Sequence, residues 1–196
     1  MRISLTLLSG VSEVMAGALL GNVAAAIVFA DAPGASLGGD PRTRLSEGAN
    51  LLSGLFGDVL IISDPAAEAP GHPIAFDAAS ASLLDAVVMA LENAEAERVM
   101  VIPLALLPSG HDLLVGLAAW PEHDVVTVKE AAALPGGCSI YRREATLSVA
   151  RDLQGGASGS LEALHETLDA ALVSVAQLAG EDLLDSVRVD SQWEAC

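Results

Sequence analysis

Chemistry is first expected where a short apolar run, Ile3 to Leu8, stops at Ser9-Gly10. Such a run ending in a turn residue reads as a buried strand and its turn. In open α/β sheets a ligand sits beyond the carboxyl ends of the strands, at the point where strand order reverses. The turn after the first strand is therefore the leading candidate for a binding site. A second candidate is the Arg142-Arg143 pair, two adjacent guanidinium groups that could clamp a phosphate. A structural or surface role is nevertheless the favoured reading.

Other chemistry is poorly supported. His72, His111, His123 and His165 have no histidine partner three or four residues away, so no helical metal pair exists. Ser-Gly recurs at Ser9, Ser53, Ser109 and Ser158, but never inside G-x-S-x-G, so a hydrolase nucleophile elbow is unsupported. Glu92, Glu95 and Glu97 read as a solvated helix end rather than a metal site. Cys138 and Cys196 lie far apart and make neither a metal motif nor a disulfide framework. A reducing, cytoplasmic setting is the expectation.

These residues sit on a strongly acidic chain. Nine Lys and Arg residues face 26 Asp and Glu, for a net charge of -17. Such a surface repels nucleic acid and anionic membranes, so neither is expected as a partner. Val14 to Ala30 carries no charge, but it is short for a span, rich in Ala and Gly, and interrupted by Asn22. It reads as buried helix or loop plus strand. The 196 residues suit a single domain, 1–196. With few aromatics, its core must be made of Ala, Leu and Val.

The elements that would position a site alternate. Strands are expected at 24–29, 58–63, 72–76, 98–103, 124–128, through Tyr141, and at 186–190. Helices are expected at 46–56, from Ser82, from Ser109 to about Ala119, at 143–153 and from Ser160. In the helix after Ser82, Leu83, Leu84, Val87, Val88 and Leu91 share one face. In the one after Ser160, Leu161, Leu164, Leu168 and Leu172 are expected to point inward. This alternation implies right-handed βαβ crossovers and a mostly parallel sheet.

Several strings, in order, resemble the MobA-like family of molybdenum-cofactor guanylyl and cytidylyl transferases. Leu7-Leu8-Ser9-Gly10-Val11-Ser12-Glu13-Val14-Met15-Ala16 resembles the opening loop L-A-G-G-x-S-x-R-M-G of that family. Gly38-Gly39-Asp40-Pro41 and the stretch from Leu51 to Ser63 resemble its G-x-P helix and F-D-x-V-L-I-v-S strand, with an insertion expected around Gly21 to Pro33. Asp77 with Ser82-Leu83, Arg98 to Pro103, Cys138 to Glu144, Gly159-Ser160-Leu161 and Val187 to Ser191 resemble later family segments.

The resemblance implies a three-layer α/β, Rossmann-like nucleotidyltransferase fold with a mostly parallel central sheet. It implies transfer of a nucleoside monophosphate from GTP or CTP to molybdopterin, with Mg²⁺ and release of pyrophosphate. Ser9, Gly10, Ser12 and Asp77 would then contact nucleotide, and Asp190 would be a metal ligand. The pattern is nevertheless incomplete. Val14 replaces the loop arginine, no Asp-Lys pair follows, and Ala105 stands where the family has the aspartate of P-x-D-M-P. Phosphoryl chemistry needs backbone donors, cations and carboxylate-held Mg²⁺. No catalytic residue is therefore assigned. The expectation is a catalytically degenerate protein that binds a nucleotide or molybdopterin-type cofactor, or acts with a protein partner or as a homo-oligomer. An active transferase is the alternative.

Overall fold

A computed structural model describes residues 20, 22–28, 41–63, 74–75, 82–103, 112–120, 123–128, 138–154, 160–174 and 177–178. In chain order the elements are β1 Val23–Val28, α1 Pro41–Ser53, β2 Asp58–Ser63, β3 Ile74–Ala75, α2 Leu83–Asn93 and β4 Arg98–Pro103. There follow α3 Asp112–Ala118, β5 Val125–Val128, β6 Ser139–Arg142, α4 Arg143–Gln154, α5 Leu161–Thr167 and β7 Ala170–Val173.

The strands form one seven-stranded sheet in the order β3-β2-β1-β4-β6-β5-β7. Only β6 runs antiparallel, against both β4 and β5. The other described pairs are parallel. Strands covered on both sides must be apolar on both sides. β1 meets that demand: Val23, Ala24, Ala25, Ala26 and Ile27 are all buried. Its three alanines leave room for helices on either side.

Those helices divide into two layers. Leu45 and Leu52 of α1 and Leu114 and Leu117 of α3 pack with Ala25, Ile27, Met100 and Ile102. On the opposite side, α2, α4 and α5 contribute Leu84, Val87, Leu91, Ala150 and Leu164 against Ala24, Ala26, Val99 and Tyr141. Burial of a Leu or Val side chain stabilises by about 1.5–3 kcal/mol, so α2 is held mainly by its buried stripe. Its start is set by Ser82, whose hydroxyl accepts from the Asp85 amide while the Asp85 carboxylate accepts from the Ser82 amide.

Two expectations are corrected, and others fall outside the described residues. The Gly21 to Pro33 stretch is not an insertion, because it contains β1, the strand bonded to both β2 and β4. Ile3 to Leu8 lies outside the described residues. The helix after Ser160 does not run to Leu172: it ends at Thr167, and Ala170–Val173 forms the edge strand β7. Leu172 is accordingly 59% exposed rather than inward. Leu161, Leu164, Leu168 and Leu172 fit helical spacing, but pairing with β5 overrides that pattern. The 186–190 strand falls outside the described residues, as does Ser109.

Candidate functional site

Strand order locates the site. From β1 the chain passes through α1 to β2 and then to β3 on one flank. It then crosses back through α2 to β4, which lies on the other flank of β1. Neighbouring β1 and β4 are thus left by the chain in opposite directions. That is the switch point at which such sheets open a crevice. The paired residues Val28 and Pro103 mark its floor. Two connections leave from it, residues 29–40 after β1 and 104–111 after β4.

The parallel β1–α1–β2 unit puts the amino end of α1 at this same edge. Helix amino ends present unpaired N–H groups and favour anions. Pro41 occupies the first helical position, where the missing N–H costs nothing. Arg42 and Arg44 lie in the first turn. The connection before them, Phe29 to Asp40, contains Gly34, Ser36, Gly38 and Gly39. The connection after β4 reads Leu104-Ala105-Leu106-Leu107-Pro108-Ser109-Gly110-His111 and contains no carboxylate.

Ser63 closes β2 at this edge. It is buried, and its hydroxyl has no hydrogen-bond partner among the described residues. Such a group is costly unless something satisfies it. Sequence reasoning missed Ser63, because a serine at a strand end carries no signal until its surroundings are known.

The residues expected to bind, Ser9, Gly10, Ser12 and Asp77, and the expected metal ligand Asp190 lie outside the described residues. Among the described residues no cluster of three or more His, Cys, Asp or Glu could hold a metal.

Arg142 and Arg143 stand at the opposite edge. Because β6 is antiparallel, Arg142 pairs with Arg98 at the amino end of β4. Arg142 lies 3.2 Å from Asp124 Oδ1. Arg143 donates from Nε to the Leu91 carbonyl at 2.8 Å, tying down the last turn of α2. Arg98 donates to the carbonyls of Ala118 and Trp120 at the end of α3. Burial and the charge of Arg142 push the Arg98 guanidinium below its ordinary value. Arg98 and Arg143 fasten helix ends to the sheet, and Arg142 holds the residue before β5, all away from the switch point.

Cys138 is equally unsuited to chemistry. It is buried, and burial raises its thiol to about 12, so it stays protonated and inert.

Comparison with solved structures agrees with this topology. The Aquifex aeolicus VF5 protein Aq1419 superposes with a TM-score of 0.64 at 18% identity, over 86% of this chain and 92% of that one. The 2-C-methyl-D-erythritol 4-phosphate cytidylyltransferase of Thermus thermophilus gives 0.57 at 18%, over 83% and 96%. A CMP:2-keto-3-deoxy-manno-octonic acid synthetase complexed with CTP gives 0.53 at 19%, over 87% and 99%. No protein-family model and no curated protein matches the chain. At these identities the likeness is one of fold. The chain has a mostly parallel, Rossmann-like nucleotidyltransferase fold. Among the described residues, no helix is long and apolar enough to cross a membrane.

Proposed function

We propose that this chain is a nucleotide-binding protein of the nucleotidyltransferase fold, related to the MobA-like proteins of molybdenum cofactor biosynthesis, in which transfer chemistry is degenerate. The observation that carries the binding reading is the switch point between β1 and β4, with the amino end of α1 opening onto it. A nucleoside triphosphate fits such an edge: backbone N–H groups meet the phosphates, and glycines allow the close approach. Gly34, Gly38 and Gly39, followed by Arg42 and Arg44, supply these residue types in the connection after β1 and the helix start. On a chain of net charge -17, local cations are needed for a triphosphate to approach at all.

The topology moves the grounds for degeneracy. The loop that follows the switch-point strand is 29–40, so substitutions at residues 7–16 carry little weight. What supports a loss of transfer is the connection after β4, where Ala105 stands at the family aspartate's position and residues 104–111 hold no carboxylate. The described residues do not fit a Mg²⁺ site. Asp77 and Asp190 remain the candidates for ribose and metal contact. The sequence of residues 29–44 is what favours the second reading, an active transferase with rewired ligands.

Calorimetry with GTP and with CTP, each with and without Mg²⁺, tests the proposal. Binding weakened by Arg42→Ala or Arg44→Ala, without pyrophosphate release when molybdopterin is added, is the expected result. Pyrophosphate release would establish the active alternative. No heat with any nucleoside triphosphate would remove both readings in favour of a protein-partner role.

A further inference from the structure

Tyr141 is fully buried beneath α5, and its hydroxyl lies 3.2 Å from His165 Nε2. Their rings are 6.0 Å apart. On the same strand, Ser139 Oγ lies 2.9 Å from Thr127 Oγ1. The Tyr141 hydroxyl thus ties the sheet at β6 to the imidazole of α5. Burial pushes the Tyr141 phenol well up, so it remains a neutral O–H that can donate to His165.

Apolar packing of Leu161, Leu164 and Leu168 also holds α5, and Ser160 caps it. The helix has seven residues, of which Leu164 is the buried one. β7 follows directly and pairs with β5. The Asp169 carbonyl between them accepts from the Asp124 and Val125 amides at 3.0 and 3.2 Å. We propose that the Tyr141–His165 contact is a proton-operated latch, holding α5 and β7 on the sheet while the imidazole is neutral and releasing them when it is protonated.

Neutral Nε2 accepts from the Tyr141 hydroxyl. A protonated ring can only donate. The phenol must then accept instead of donate, and its own proton loses its acceptor inside an apolar layer. Burial holds His165 below its ordinary value, while Glu162 on its own helix pulls weakly the other way. From β6 it faces Tyr141. On the neighbouring α2 and α4, Asp85 bonds Ser82 and Gln154, Glu92 pairs with Arg151, and Arg143 holds the Leu91 carbonyl. Glu144 and Asp152 are exposed on α4, as Glu166 is on α5, and Asp169 pairs with His123.

The sign follows from a folded value lowered beneath the unfolded one. The latch is intact above about 6.5, the ordinary histidine value, and weakens as pH falls from there through the lowered value. One proton changes the opening constant by at most about tenfold per pH unit.

Hydrogen exchange of the full chain between pH 7.5 and 5.5, corrected for intrinsic rates, tests the latch. Opening of residues 160–173 should rise severalfold on acidification, while 23–28 and 98–103 keep their protection. His165→Gln, which cannot titrate, should remove the pH dependence. A flat wild-type profile, or the same slope in His165→Gln, overturns the proposal. Should that variant fail to fold, proton NMR of wild-type His165 decides, since a midpoint at or above about 6.5 is equally fatal.

Discussion

Arg143 and Leu91 are 52 positions apart in sequence, and a 2.8 Å hydrogen bond joins them. The first residue of α4 thereby satisfies a carbonyl in the last turn of α2, which otherwise lacks a basic residue to cap it. The Arg143 amide meanwhile donates to the Glu97 carbonyl at 2.8 Å. Side chain and backbone together lock two helices and the start of β4.

Replacing Arg143 with Ala should therefore destabilise the fold by about 1–2 kcal/mol, the range for a charged donor partly open to solvent. Nucleotide affinity should stay unchanged, because Arg143 lies at the far edge from Val28 and Pro103. Chemical denaturation and calorimetry on the same variant check both halves. A tenfold loss of nucleotide affinity with normal stability would restore the phosphate-clamp reading.

Gly116 in α3 lies against the chain near Leu178. A Cβ added there would sit 2.6 Å from the Leu178 carbonyl oxygen and 3.0 Å from its Cβ. Gly116→Ala should gain up to about 1 kcal/mol of helix propensity yet lose about 1–3 kcal/mol to overpacking. A net fall in Tm is expected, with Gly54→Ala as control. Gly54 has only an ordinary 3.4 Å contact.

Thr127 and Ser139 share one buried hydrogen bond between β5 and β6. Thr127→Val strands the Ser139 hydroxyl away from that partner and should cost about 1–2 kcal/mol. Adding Ser139→Ala removes the orphan, so the double variant should lose less than the two single losses combined. A double-mutant cycle of denaturation midpoints measures this coupling.

The capping box of α2 should be sensitive to acid. Burial pushes Asp85 upward, but hydrogen bonds from Ser82 and Gln154 outweigh it and hold its carboxyl below the ordinary 3.8. Its stabilising contribution is therefore present above that value and fades as pH falls through the lowered one. Ser82→Ala should cost about 1 kcal/mol near neutral pH. The difference between wild type and Ser82→Ala should narrow in strong acid, as followed by circular dichroism melts.

The amino-acid order alone determined most elements and the class of the fold. DVLIIS, RVMVIP and the stripe from Leu84 to Leu91 each carry a pattern that local burial enforces, whatever surrounds them. Ser160 was legible as a cap because the capping bond to Ala163 is local. Tertiary structure decided the rest. VAAAIV became the strand between β2 and β4 through long-range pairing, and three alanines do not announce a central strand. Leu172 became an exposed edge residue because β5 offered backbone partners, against a helical spacing that suggested burial. Arg142-Arg143 could have faced either edge until the antiparallel course of β6 placed them at the amino ends. The switch point depends on strand order, which is a property of long-range pairing and leaves no mark on any single segment.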